Sequence, residues 1–185
     1  MAVLEETALL AGLQQPDTRA QAFDQMVRAY QRVLYYHIRR LVIRHEDADD
    51  VLQNTFLKAW RYLDQFRGES ALKTWLYRIA TNEALTFLNQ QKRRAGQDVE
   101  DLANDLRHSL RNDRHIEGDE IQLRLQEAIL LLPDRQRTVF SMRYFDELKY
   151  EEISEVLDVS VGALKASYHH AVRKIEDYLT GVASA

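Results

Sequence analysis

The sequence predicts an all-α protein of two small helical domains joined by a flexible acidic linker, the second domain carrying a helix-turn-helix. Three observations predict it. Apolar residues recur every three or four positions in both halves of the chain, the spacing of amphipathic helices. Glycine and proline, which punctuate turn-rich β folds, number only 6 and 2 among 185 residues. A stretch at 97–120 has 3 basic residues against 8 acidic ones and no aromatic residue, so it buries little and reads as a connector. The predicted division is therefore 1–96, 97–120 and 121–185.

The first domain contains three predicted helices. Phe23, Met26, Val27, Tyr30, Leu34, Ile38 and Leu41 mark the first stripe. Ala48, Val51, Leu52, Thr55, Phe56, Ala59, Trp60 and Leu63 mark the second, with Asp47 as a favourable N-terminal charge and Gly68 in the break beyond. The third begins near Ser70, a good N-cap, and turns Leu72, Trp75, Leu76, Ile79, Ala84 and Leu88 inward. Val99, Leu102, Leu106 and Leu110 keep helical spacing inside the connector, so part of it reads as a short helix.

In the second domain Ile121, Leu125, Ile129 and Leu132 form a stripe that breaks at Pro133 and resumes through Val139, Phe140 and Tyr144. A short helix from Glu151 to Leu157, a corner at Asp158-Val159-Ser160 and a longer helix from Val161 to Leu179 follow.

With 45% hydrophobic and 29% charged residues the chain is a folding one, not a disordered one. The absence of cysteine removes disulfides, cysteine-ligated zinc, iron–sulfur clusters and thiol chemistry. The longest strongly apolar run, Ala128 to Leu132, is far short of the roughly 20 residues of a bilayer span, and Glu5 and Glu6 stand where a secretory leader would be basic. A cytoplasmic location with no direct membrane insertion is expected. The net charge of -4 offers no global attraction to nucleic acid, so any such function rests on local patches.

The last helix supplies such a patch. At about 100° per residue, Leu164, Tyr168, Ala171, Val172 and Ile175 share one side, while Lys165, His169 and Arg173 line up on the other with Ala166 and His170 beside them. Basic donors for guanine or phosphate, with a small residue that lets the backbone approach, suit a helix that enters a DNA groove. Ser160 as N-cap would aim the helix N-terminus outward, where free N–H groups meet phosphate.

The ordered set of motifs Asp50-Val-Leu-Gln-Asn-Thr-Phe-Leu-Lys-Ala-Trp60, Phe66-Arg-Gly-Glu-Ser70 and Thr74-Trp-Leu-Tyr-Arg-Ile-Ala80 with Asn82 resembles the promoter-melting domain of extracytoplasmic-function (ECF) sigma factors of bacterial RNA polymerase. Leu132-Pro133, Tyr150-Glu-Glu-Ile153 and Val159-Ser-Val-Gly162 through Lys165 and Ala171 resemble the same family's upstream-reading helix-turn-helix. The matches cover 20–94 and 121–179 in the family's order. The resemblance implies a non-enzymatic specificity subunit that joins core RNA polymerase, selects promoter DNA and opens it. It assigns polymerase contact to Asp50, Gln53, Asn54 and Leu57, the last an apolar residue on a polar helix face. It assigns capture of an unstacked minus-ten base to Phe66, Arg67, Ser70, Lys73, Arg78 and Asn82, with Lys92, Arg93 and Arg94 extending a basic track. Minus-thirty-five recognition falls on Lys165, Ala166, His169, His170 and Arg173. The acidic connector would occupy a basic channel of the polymerase as a polyanion. An anti-sigma factor is an expected partner, and no cofactor or metal is expected.

Other readings rest on less. A stand-alone two-domain helix-turn-helix regulator would need to bind operators unaided, against the acidic balance of its second domain. Arg40 and His45 have a spacing seen in some helical nucleases. Glu46, Asp47, Asp49 and Asp50 cluster in sequence, but consecutive carboxylates on a helix point in different directions, which disfavours a metal site.

Overall fold

The computed structural model describes residues 3–66, 68, 70–95 and 120–181. The acidic connector, including its apolar positions Val99 to Leu110, lies outside the described residues. Among the described residues all regular structure is helical: α1 (Val3–Gln14), α2 (Arg19–Val42), α3 (His45–Tyr62) with a 3-10 turn (Leu63–Gln65), α4 (Leu72–Ala95), α5 (Glu120–Leu130), α6 (Asp134–Tyr144), α7 (Tyr150–Leu157) and α8 (Val161–Thr180).

The predicted stripes build the first domain. Met26, Leu34, Ile38 and Leu41 of α2, Ala48, Val51 and Ala59 of α3, and Leu72, Leu76, Ala80, Ala84 and Leu88 of α4 form its interior. Small residues on the facing sides of α3 and α4 let these helices approach closely, which is why α3 buries a narrow stripe. That narrowness corrects the reading of Trp60. It lies at the flank, 43% exposed, with its ring edge-on to Phe23 at 4.9 Å. Ser70 is not the cap of α4: the carbonyl of Ala71 accepts the first helical bond, from the Trp75 N–H at 3.1 Å.

Helix α1 was not expected from the sequence. Leu9 and Leu13 enter the core, and a side chain at Gly12 would come within 3.0 Å of the Ala22 Cβ, so α1 lies close on α2. The Thr18 hydroxyl donates to the Gly12 carbonyl at 2.9 Å, Arg19 Nε donates to the Leu13 carbonyl at 3.2 Å, and Arg19 also pairs with Asp64.

In the second domain Ala128, Ile129, Leu132, Phe140, Ala171 and Ile175 pack together, with Phe140 stacked between Tyr144 and Tyr168. The corner between α7 and α8 is made by Asp158 in the left-handed conformation (φ 53°), whose N–H bonds to the Ser154 carbonyl. Ser160 caps α8, its Oγ accepting from the Ala163 N–H at 3.4 Å. That bond is long, so Ser160→Ala is expected to cost about 0.5–1 kcal/mol, the low end for a lost cap, measured as a fall of a few degrees in Tm.

The two domains touch. Helix α7 packs on α4 and α6 on α2, and Val139, Met142, Leu148, Ile153, Val156 and Leu164 join the same buried cluster as the interior of the first domain.

Candidate functional site

Helix α3 presents one coherent outward face. Asp50, Gln53, Asn54, Leu57 and Arg61 are exposed and lie within about 60° of Asp50 around the axis, opposite Ala48, Val51, Thr55 and Ala59. Leu57 is 50% exposed amid these polar groups. The face is held rigidly: Lys58 donates to Glu83 of α4 at 2.5 Å, and the Gln91 amide of α4 donates to Asp47 at 3.2 Å. Burial, the largest influence, pushes the Asp47 carboxyl above its ordinary value.

The residues assigned to strand capture do not form one patch. Phe66 is half-buried with its ring centroid 4.9 Å from that of Trp75, so its aromatic face is largely used in packing. Arg67 lies outside the described residues, and Ser70 is half-buried ahead of α4. The Lys73 ammonium sits 5.6 Å from the Tyr77 ring centre, a cation–π contact. Arg78 and Asn82 are exposed one turn apart on one side of α4. Lys73 and Asn82 project about 180° apart around the helix axis, so the helix separates them. Of the basic track, Lys92 pairs with Asp134 of α6 at 2.5 Å, Arg93 is exposed, and the Arg94 side chain lies outside the described set.

On α8 the expected set does come together. Lys165, Ala166, His169, His170 and Arg173 are all exposed, while Leu164, Ala171 and Ile175 anchor the helix. The Lys165 ammonium lies 5.7 Å from the Tyr150 ring of α7, which Arg143 also approaches at 5.3 Å, so this cation is steered by the aromatic beneath it. Glu151 and Glu155 are exposed on α7. Burial, then the neighbouring Tyr150, raises the pKa of the Tyr168 phenol below the α8 face.

Sequence reasoning missed the polar cluster between the domains. His37, fully buried, has Nδ1 2.6 Å from Asp146 Oδ2 and Nε2 2.9 Å from Thr81 Oγ1. Arg40 Nη1 donates to Asp146 Oδ1 at 2.8 Å, and its guanidinium lies 4.6 Å from the Phe145 ring centre. Tyr77 packs on the His37 ring, and burial, followed by the Asp146 charge, pushes its phenol far up. The available signal was register: His37 falls on the Tyr30, Leu34, Ile38 and Leu41 side of α2, an inward position for a titratable group. Arg40 pairs with Asp146, whereas His45 Nδ1 lies 2.5 Å from the Tyr35 hydroxyl. Asp49 pairs with His45 and Asp47 with Gln91, so neighbouring carboxylates of α3 do diverge.

Comparison with known proteins accounts for this arrangement. Residues 26–94 match sigma-70 region 2 and residues 122–175 match sigma-70 region 4. The chain is 35% identical over 182 residues to the ECF RNA polymerase sigma-E factor of Haemophilus influenzae, covering 94% of this chain and 95% of that one. It is 35% identical over 185 residues to the RNA polymerase sigma-H factor of Pseudomonas aeruginosa, covering 95% and 94%. Among solved structures, CnrH in complex with the cytosolic domain of CnrY shares the fold at a TM-score of 0.69 and 22% identity, covering 96% of this chain and 99% of that chain. Sigma factor RpoE in complex with the anti-sigma factor NepR from Bartonella quintana does so at 0.66 and 20%, covering 88% and 98%. With both regions present in order and the identity sustained along nearly the whole chain, the protein belongs to the extracytoplasmic-function sigma factors of the sigma-70 family, which direct transcription initiation.

Proposed function

We propose that this sigma factor acts by three separated surfaces and performs no chemical step of its own. The outward face of α3 binds core RNA polymerase through Asp50, Gln53, Asn54 and Leu57. Arg78 and Asn82, on one side of α4, hold one part of the melted minus-ten strand, while Phe66, Arg67, Ser70 and Lys73, around the start of the helix and on its other side, contact a separate part of it. Extruding a base costs a few kcal/mol, repaid by stacking, edge hydrogen bonds and cationic contacts to the backbone. The α8 face of Lys165, Ala166, His169, His170 and Arg173 reads the minus-thirty-five duplex. The observation that carries the reading is Leu57: an apolar side chain half in solvent, on a rigid polar face, suits a protein partner.

The same reading places the protein in the cytoplasm, with the connector at 97–120 filling a basic channel of the polymerase. Two structural neighbours were solved in complexes, CnrH with the cytosolic domain of CnrY and RpoE with the anti-sigma factor NepR, and the second supports an anti-sigma partner here. Reconstitution with core polymerase tests the whole. Discrete promoter-initiated transcripts should appear only when the chain is added. Nanomolar operator binding without polymerase, and no transcripts with it, would favour the stand-alone regulator.

A further inference from the structure

The turn that leads into Phe66 is held from two sides. Leu63, the first residue of the 3-10 turn, is buried on the inner side, and the Phe66 N–H closes the turn on the Leu63 carbonyl at 3.1 Å. On the outer side Asp64 pairs with Arg19, 45 residues earlier in the chain. Directly after the turn the Phe66 ring meets Trp75 of α4, and Gly68 takes the left-handed conformation at φ 72°. The placement of Phe66 is therefore set by the turn. Arg19 reaches that turn already constrained, because its Nε donates to the Leu13 carbonyl while the Thr18 hydroxyl donates to that of Gly12. Both carbonyls are among the last four of α1, which a helix cannot pair within itself. Helix α1 is in turn fixed by Leu9 and Leu13 in the core and by the close approach of Gly12 to Ala22. One guanidinium thus joins the end of α1 to the end of α3.

We propose that Arg19 is a positioning residue for promoter opening: it ties α1 to the Leu63–Gln65 turn and so sets Phe66 for the unpaired minus-ten base. This rests on the reading of Phe66 as part of the strand-capture surface. The side chain of Asp64 is 72% exposed and that of Arg19 is 29% exposed. An ion pair so open to solvent and salt adds little to the stability of a fold. The Leu13 carbonyl has already ordered Arg19, however, so the pair fixes where the turn lies more than it stabilises the domain. Extrusion of a base is offset only by contacts, and a group that must first be ordered at that step offsets less of it. Arg19 precedes residues 26–94, the part of the chain that matches sigma-70 region 2. Through this route α1 acts on the melted strand without touching it.

The test uses the full chain, core polymerase and a duplex promoter taken from the transcripts of the reconstitution above. Permanganate reactivity of the minus-ten thymines should fall roughly three- to tenfold in Arg19→Ala and by the same factor in Asp64→Ala, with Tm and affinity for core polymerase unchanged. The double variant should be no worse than either single one, the sign of a single shared interaction. On a promoter already unpaired across the minus-ten element the defect should shrink to within about twofold, since no unpairing has to be offset. In a Trp60→Phe background Trp75 is the single tryptophan, and Arg19→Ala should move its emission to longer wavelength without polymerase present. Asp64→Ala, at an exposed position, carries the test should Arg19→Ala fail to fold. Full opening by folded Asp64→Ala overturns the positioning role, and a loss confined to Arg19→Ala would mark a direct phosphate contact instead. Additive losses in the double variant, an unchanged Trp75 emission, or losses that track a fall in Tm overturn it as well. A wild type that leaves the minus-ten thymines unreactive, or a Phe66→Ala variant that opens promoters as well as the wild type, overturns the strand-capture reading and the proposal with it.

Discussion

Leu57→Asp is expected to abolish binding to core polymerase while leaving the chain folded. The side chain is half exposed on α3 and contributes little to the interior, so the free protein tolerates a charge there at a cost within about 0.5 kcal/mol. In the proposed contact the same carboxylate would be desolvated without a partner, a penalty of about 3 kcal/mol or more, which weakens binding over a hundredfold. Competition for core against an unlabelled wild type, beside a thermal melt of the variant, separates the two effects. Retained affinity would remove Leu57 from the interface and with it the main support for polymerase contact on α3.

Leu164→Ala is expected to give the largest loss of stability. Leu164 is fully buried at the start of α8 and belongs to the cluster that continues into the first domain. Truncation removes its transfer free energy and leaves a cavity that rigid neighbours on several helices cannot close, a cost of about 3 kcal/mol and on the order of 10 °C in Tm. Denaturant unfolding read by circular dichroism checks it. A loss below about 1 kcal/mol would mean that this site relaxes freely and that the cluster is not tightly packed.

The parts legible in the sequence were those encoded by local period. The stripes of α2, α3 and α4 and the short-helix, corner, long-helix pattern at 150–180 all appear where spacing placed them, because an amphipathic helix writes its buried side into the chain. Helix α1 escaped because Ala8, Leu9, Leu10, Ala11 and Leu13 surround the axis and leave no stripe. Trp60 was misplaced because period identifies a side of a helix but not how wide a strip the neighbouring helix can cover. The α8 surface was legible as a set since five residues on one helix share one geometry. The α4 set was not, because motif resemblance carries residues over without saying which side of the helix each takes. The His37–Asp146 contact joins positions 109 apart in sequence, and no local pattern records such a pairing.

The mounting of α8 carries one more implication. Leu164, Ala171 and Ile175 secure the helix, whereas Ala166, His169, His170 and Arg173 stand in solvent. Changes at those outer positions leave folding nearly untouched. If that face reads the duplex as proposed, a descendant of this protein can therefore acquire a new target vocabulary one residue at a time, with each intermediate still a sound molecule.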